Sequence, residues 1–130
     1  MKIMVCYDTA KTNSKVLELA KKHAKAFDAK VYVATVLTGS EGDQLDSIEK
    51  SKGSLADAEQ FFQEENIQVE TKLMFGDQSA GEHLVDFARD DGMDEIIIGS
   101  GKKSKLGKLV FGSTSQYVIL EGHCPVITTR

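Results

Sequence analysis

Short apolar runs alternate with longer amphipathic segments along this chain of 130 residues. Five of the runs are rich in Val, Ile, Tyr and Thr, which are the residues that β-strands favour. They predict strands at Lys2 to Tyr7, Lys30 to Val36, Gln68 to Met74, Glu95 to Ile98 and Val126 to Thr129. None of the runs approaches the length of a membrane span, so they are expected to form a buried sheet.

Between the predicted strands, apolar residues recur at helical spacing. The first predicted helix has one apolar face, formed by Val16, Leu17, Ala20, Ala24 and Phe27, with Asn13 or Ser14 as its cap. The second has an apolar stripe formed by Leu45, Ile48, Leu55 and Phe62. Gly53 falls inside this second helix, where a glycine lowers helix stability.

Two capping boxes predict the beginnings of a third and a fourth helix. Each has a serine followed three residues later by Glu or Gln, at Ser79 to Glu82 and at Ser113 to Gln116. Glycines at positions 92 and 122 are expected to end these helices. The chain therefore contains five strands separated by four helices.

This alternation predicts an α/β fold: an open, doubly wound, five-stranded parallel sheet with helices on both faces. If the strand order is 3-2-1-4-5, the winding reverses between strands one and four, and a crevice opens above their carboxyl ends. Cys6, Tyr7 and Asp8 end the first strand at this crevice, and Gly99 follows the fourth. We expect one domain over residues 1–130, because no repeat or linker interrupts the pattern.

Composition and charge narrow the possible functions. Hydrophobic residues make up 41% and charged residues 28%, which is typical of globular proteins. The formal net charge of -4 disfavours a general nucleic-acid binder. The chain begins with a predicted strand rather than a signal peptide, so we expect a cytoplasmic protein without a membrane partner. Cys6 and Cys124 lack metal-ligand spacing and are expected to be small buried residues rather than a disulfide.

A basic, glycine-rich segment follows the fourth strand. It contains Gly99, Gly101 and Gly107 together with Lys102, Lys103, Lys105 and Lys108, without an intervening acid. Glycines let the backbone approach an anion, and the start of the fourth predicted helix, at Ser113 and Thr114, offers free amides and a favourable dipole. The segment predicts a phosphate-bearing ligand, with a solvated surface loop as the alternative. It is not a Walker A loop, because Lys102 is followed by Lys103.

The titratable residues predict no catalytic or metal site. His23, His83 and His123 lie in three different segments, and no nucleophile elbow is present. Asp8 ends the first predicted strand and is a candidate ligand contact at the crevice, with a local Asx turn as the alternative. Beyond Asp8 the sequence offers no general base, so we expect no enzyme.

Five segments, taken in order, resemble the universal stress protein family (the A type): Lys2 to Asp8, Phe75 to Ser79, Asp94 to Ser100, Phe111 to Ser115 and Cys124 to Ile127. The resemblance implies an adenine nucleotide alpha hydrolase-like fold and a role in stress response or signalling. It also implies binding of ATP or another adenine nucleotide, with Mg²⁺ as a candidate companion ion and with slow ATP hydrolysis at most. Asp8 would then contact the ribose, an adenine amine or a phosphate-bound metal. A homodimer through the last strand, Val126 to Thr129, is implied as well.

Nucleotide-binding members of that family have a glycine after strand four, another after two residues, and a Gly-Ser or Gly-Thr nine residues later. Gly99 and Gly112-Ser113 match, whereas Lys102 replaces the second glycine and Gly101 precedes it. The resemblance thus implies main-chain contacts at Val36 and a site formed by Cys6, Tyr7, Asp8, Gly99, Ser100, Gly101, Lys102, Gly112, Ser113 and Thr114.

Lys102 leaves two interpretations open. A lysine in a left-handed backbone would cost about 1–2 kcal/mol, whereas its hydrogen bond to a phosphate would contribute about 1.5–3 kcal/mol. The lysine therefore either blocks the phosphates or holds them. If it blocks them, the alternative function is a family member that binds no nucleotide and acts as a dimer through protein partners.

Overall fold

The computed structural model describes residues 1–8, 14–39, 44–99, 102–103 and 109–129. Within these ranges the chain forms seven strands and four helices. They are β1 (Lys2–Cys6), α1 (Ser14–Phe27), β2 (Lys30–Thr38), α2 (Leu45–Gln63), β3 (Val69–Gly76), α3 (Ala80–Asp90), β4 (Glu95–Gly99), β5 (Lys102–Lys103), β6 (Leu109–Val110), α4 (Ser113–Glu121) and β7 (Val126–Thr129).

The main sheet has five strands in the order β3-β2-β1-β4-β7, and each neighbouring pair is parallel. Counted along the chain, these strands have the order 3-2-1-4-5, which confirms the predicted doubly wound sheet. A second, two-stranded antiparallel sheet pairs β5 with β6 between β4 and α4. The sequence pattern did not predict this ribbon.

Two apolar cores lie on opposite faces of the main sheet. Alternate residues of a strand point to opposite faces, so Ile3 and Val5 pack with α1 and α2, whereas Met4 packs with α3 and α4. Phe62 and Ile96 are fully buried, one in each core. Burial of a side chain of this size contributes about 1.5–3 kcal/mol. The two cores fix the sheet between its helices and hold its carboxyl edge in place.

The two capping boxes have different outcomes. At Ser79 the prediction is confirmed, since Ser79 Oγ accepts a hydrogen bond from the Glu82 main-chain N–H at 3.3 Å. At Ser113 it is wrong, because Gly112 is the N-cap of α4 and no side chain caps the helix. Gln116 instead donates its Nε2 hydrogen to the Phe111 carbonyl at 3.0 Å.

Phe27 also departs from its prediction. It was assigned by spacing to the buried face of α1, but its side chain is 54% exposed. Phe27 is the last residue of α1, and the next residue, Asp28, has a φ of 50°, which turns the chain away from the helix. Its ring therefore lies outside the core, edge-on to His23 at 6.0 Å.

The carboxyl edge of the main sheet is stepped. Cys6, the last residue of β1, is level with Ala34 of β2 and Ile98 of β4. The paired strands β2 and β3 continue for four residues beyond this level, to Thr38 and Gly76. At about 3.3 Å per residue the step is roughly 13 Å high. The crevice above β1 and β4 is thus bounded on one side by the β2–β3 pair.

Candidate functional site

A buried hydroxyl joins the end of β4 to the start of α4. Ser115 Oγ donates a hydrogen bond to the Gly99 carbonyl oxygen at 3.0 Å. Ser115 lies in the first turn of α4 and is only 7% exposed. The bond therefore fixes the first turn of α4 beside the carboxyl end of β4, at the point where the winding of the sheet reverses.

The first turn of α4 presents main-chain donors. Gln116 is the first residue whose N–H bonds back along the helix, to the Gly112 carbonyl at 3.0 Å. The N–H groups of Ser113, Thr114 and Ser115 precede that bond and have no partner within the helix. A Cβ placed at Gly112 would meet nothing within 4 Å, so the cap faces open space. These donors and the helix dipole favour an anion at this end of α4.

At the end of β1 the predicted residues divide between core and surface. Cys6 and Tyr7 are buried in opposite apolar cores, so their side chains do not reach the crevice. Burial, with a smaller contribution from Cys124, raises the pKa of the Cys6 thiol to about 12. Burial and then the charge of Asp57 raise the pKa of the Tyr7 phenol. Only Asp8 is exposed, and Cys6 and Tyr7 can offer a ligand main-chain groups alone.

Val36 lies on the part of β2 that extends past β1. The main-chain groups of alternate residues in a strand point to the same neighbouring strand. The Ala34 carbonyl accepts from the Tyr7 N–H at 2.8 Å and so points toward β1. Val36, two residues later, points its N–H and C=O the same way, beyond the end of β1. Its donor and acceptor therefore face the crevice.

The backbone at Lys102 differs from the conformation that a required glycine would imply. Lys102 is in β5, where it pairs with Val110 in an antiparallel ribbon. Extended backbone is open to any residue, so a lysine at this position carries no left-handed strain. Ser100 and Gly101, and the later glycine and lysines of the loop at 105, 107 and 108, lie outside the described residues.

The three histidines are not brought together. His23 contacts Glu95 at 2.7 Å between Nδ1 and Oε1, near the amino end of β4. His83 packs against Gly76, where a Cβ would come within 2.7 Å of its Nε2. Across the described ranges, no group of three or more His, Cys, Asp or Glu side chains could hold a metal ion. In the same ranges no helix is long and apolar enough to cross a membrane.

Two residues near the crevice were missed by sequence reasoning. They are Ser115 and Thr35. Thr35 is 4% exposed and donates its Oγ1 hydrogen to the Tyr7 carbonyl at 2.6 Å. Thr35 follows Val31 and Val33 on the face of β2 that packs against α1 and α2. A hydroxyl at a core-facing position of a strand is a signal of a specific buried hydrogen bond, although its partner depends on the strand register.

The model of the universal stress protein family matches residues 1–130. The chain belongs to this family. A universal stress protein of Methanocaldococcus jannaschii is 26% identical over 140 residues, which cover 99% of this chain and 81% of that protein. The predicted family is therefore confirmed.

Solved universal stress proteins have the same fold. One from Archaeoglobus fulgidus has a TM-score of 0.89 at 32% identity, covering 100% of this chain and 98% of that one. A universal stress protein from Archaeoglobus fulgidus in complex with dAMP has a TM-score of 0.82 at 28% identity, with the same coverage of both chains. The adenine nucleotide alpha hydrolase-like architecture predicted from the sequence is confirmed.

Proposed function

We propose that this universal stress protein binds an adenine nucleotide, ATP or AMP, in the crevice above β1 and β4. The observation that carries the proposal is the Ser115–Gly99 hydrogen bond, which holds the uncapped first turn of α4 at the end of β4. A phosphate is the natural partner for helix-terminal amides in that position. The dAMP complex of a universal stress protein from Archaeoglobus fulgidus supports an adenine nucleotide as the ligand.

The two ends of the nucleotide would meet different parts of the crevice. The amides of Ser113 and Thr114 would hold the phosphates, with Lys102 adding positive charge from the ribbon that precedes α4. The main-chain donor and acceptor of Val36 would hold the base, and Asp8 at the end of β1 would meet the ribose. Gly99 and Gly112 would let the backbone approach the ligand closely.

We assign the protein a binding role in stress response or signalling rather than catalysis. Asp8 is the one carboxylate among the described residues of the proposed site, and no histidine among them accompanies it to activate a hydroxyl. Mg²⁺ prefers several oxygen ligands and usually arrives with substrate phosphates. With a single carboxylate on offer, Mg²⁺ would depend mainly on the nucleotide and on water for its ligands.

Calorimetric titration with AMP, ADP, ATP and cyclic AMP tests the proposal. We expect binding of at least one of them below millimolar concentration. S115A should weaken that binding roughly three- to tenfold, the effect of losing one hydrogen bond. S47A is the matched control, since Ser47 is also in the first turn of a helix, α2, but its hydroxyl donates to the exposed Gln44 side chain at 3.4 Å, outside the proposed site. If no nucleotide binds at millimolar concentration, the proposal fails and a dimer that recruits protein partners becomes the better function.

The last strand supports a second part of the proposal, a homodimer. β7 is an edge of the sheet, and its described residues, Val126–Thr129, carry no charge. The opposite edge, β3, carries Glu70 and Lys72, charges that discourage edge pairing. On α4, the helix that leads into β7, Leu120 is 78% exposed. We infer that two copies pair through antiparallel β7 strands.

A further inference from the structure

A hydroxyl replaces a main-chain hydrogen bond where β1 leaves β2. The register of these strands is set at the other end, where the Met1 carbonyl accepts from the Lys30 N–H at 3.0 Å. Six residues further along both strands, the same ladder would join the Tyr7 carbonyl to the Val36 N–H. In the structure the Tyr7 carbonyl instead accepts from Thr35 Oγ1 at 2.6 Å.

The exchange of a main-chain donor for the Thr35 hydroxyl leaves the buried Tyr7 carbonyl with a partner. A carbonyl that loses its ladder bond inside a protein costs free energy unless another donor replaces it. Thr35, which is 4% exposed and precedes Val36 on β2, supplies that donor. The Val36 N–H is thereby released from the ladder while the end of β1 stays anchored to β2.

We infer that Thr35 is a positioning residue that keeps the Val36 N–H available for the base of the bound nucleotide. The inference rests on the proposed function and deepens it, because it explains how a strand in the middle of a sheet offers a main-chain donor to a ligand. Ser115 is a positioning residue at the other end of the crevice. Its hydroxyl donates a hydrogen bond to the Gly99 carbonyl and so keeps the first amides of α4 beside the end of β4.

The substitution T35V separates these roles. Valine has nearly the shape of threonine but lacks the hydroxyl, so the Tyr7 carbonyl is expected to take the Val36 N–H and extend the ladder by one bond. We expect T35V to weaken AMP and adenosine by the same factor, roughly three- to tenfold. S115A should weaken AMP while leaving adenosine unchanged, because adenosine has no phosphate. T35S keeps the hydroxyl and should bind both ligands like the wild type.

Amide hydrogen exchange at Val36, followed by NMR, provides a readout that a general loss of structure would not reproduce. In the wild type the Val36 amide should exchange rapidly without ligand and slowly with saturating AMP. In T35V it should exchange slowly even without ligand. Slow exchange in the ligand-free wild type would overturn the inference, and so would equal AMP affinities for T35V and wild type.

The two proposals fail in different ways. If calorimetry detects no nucleotide binding to the wild type, the proposed function is wrong. If the wild type binds AMP but the Val36 amide does not respond, the function stands and the role of Thr35 is refuted. Should T35V fail to fold, the exchange of the wild-type amide with and without AMP still decides the question.

Discussion

Gly81 lies where α3 and α4 touch. A Cβ at this position would come within 2.8–2.9 Å of three atoms of Tyr117, closer than side chains pack. We expect G81A to destabilise the protein by about 1–3 kcal/mol, the usual cost of overpacking. The change should appear as a lower midpoint of urea unfolding with an unchanged slope.

Replacing Gly53 by alanine is expected to have the opposite effect on stability. It lies inside α2, and a Cβ there would meet nothing within 4 Å. G53A should therefore stabilise the protein by about 0.5–1 kcal/mol, since alanine favours a helix over glycine. Unchanged stability in G81A would contradict the packing described for α3 and α4, and a loss of stability in G53A would contradict the open space at Gly53.

At the residue scale, the sequence predicted the parts of the candidate site that form a local pattern. Gly99 and the Gly112-Ser113 pair are recognisable from their spacing, and the structure puts them on either side of the β5–β6 ribbon. The role of Thr35 was not predictable in this way. It depends on which carbonyl β1 presents to β2, and that is decided by register and not by the residues next to Thr35.

Among the elements, α1 and α2 are joined by ion pairs at their surface. Glu65, just beyond α2, contacts Lys25 of α1 at 2.6 Å and Lys21 at 3.7 Å. The hydrogen bond and charge of Lys25 lower the pKa of the Glu65 carboxyl below its ordinary value of 4.5. A carboxyl with a lowered pKa stabilises the fold above its unfolded pKa, and that contribution disappears as pH falls through the folded pKa.

The substitution E65Q tests this contact between α1 and α2. The wild type should be more stable than E65Q at neutral pH, and the two should converge as the pH falls below 4.5. Added salt should narrow the difference, because the pair is exposed. Unfolding by urea at several pH values measures the effect. The control E64Q removes a carboxylate that accepts a hydrogen bond from the neutral Gln60 amide at 3.2 Å, and its stability should depend on pH as that of the wild type does.

The elements themselves were largely predictable because their periodicity is strong. The five strands of the main sheet and the helices α1 and α2 occur where the apolar pattern put them, and α3 and α4 begin at the two serine motifs. The strand ends were predicted less accurately, because β2 and β3 each continue two residues past the predicted ends at Val36 and Met74. Strand ends depend on pairing with a neighbour. The two-residue strands β5 and β6 are too short to show an alternating pattern at all.

For the whole molecule, the proposed dimer can be tested without disturbing the sheet. The Ile96 N–H bonds the Pro125 carbonyl at 3.0 Å, so Ile127 points its main-chain groups toward β4 and Thr128 points its own outward. T128P removes an outward N–H, which an edge strand tolerates. We expect light scattering to find the wild type and T128A as dimers, and T128P as a monomer at micromolar concentration. A monomeric wild type would refute the dimer.

The hydroxyl of Thr35 has a kinetic consequence for the whole protein. With the Tyr7 carbonyl bound to the Thr35 hydroxyl, an arriving base would not have to break a ladder bond between Tyr7 and Val36. Entry of a nucleotide would then need no rearrangement of the β1–β2 ladder. Adenine nucleotides that differ in affinity should consequently differ in residence time much more than in association rate.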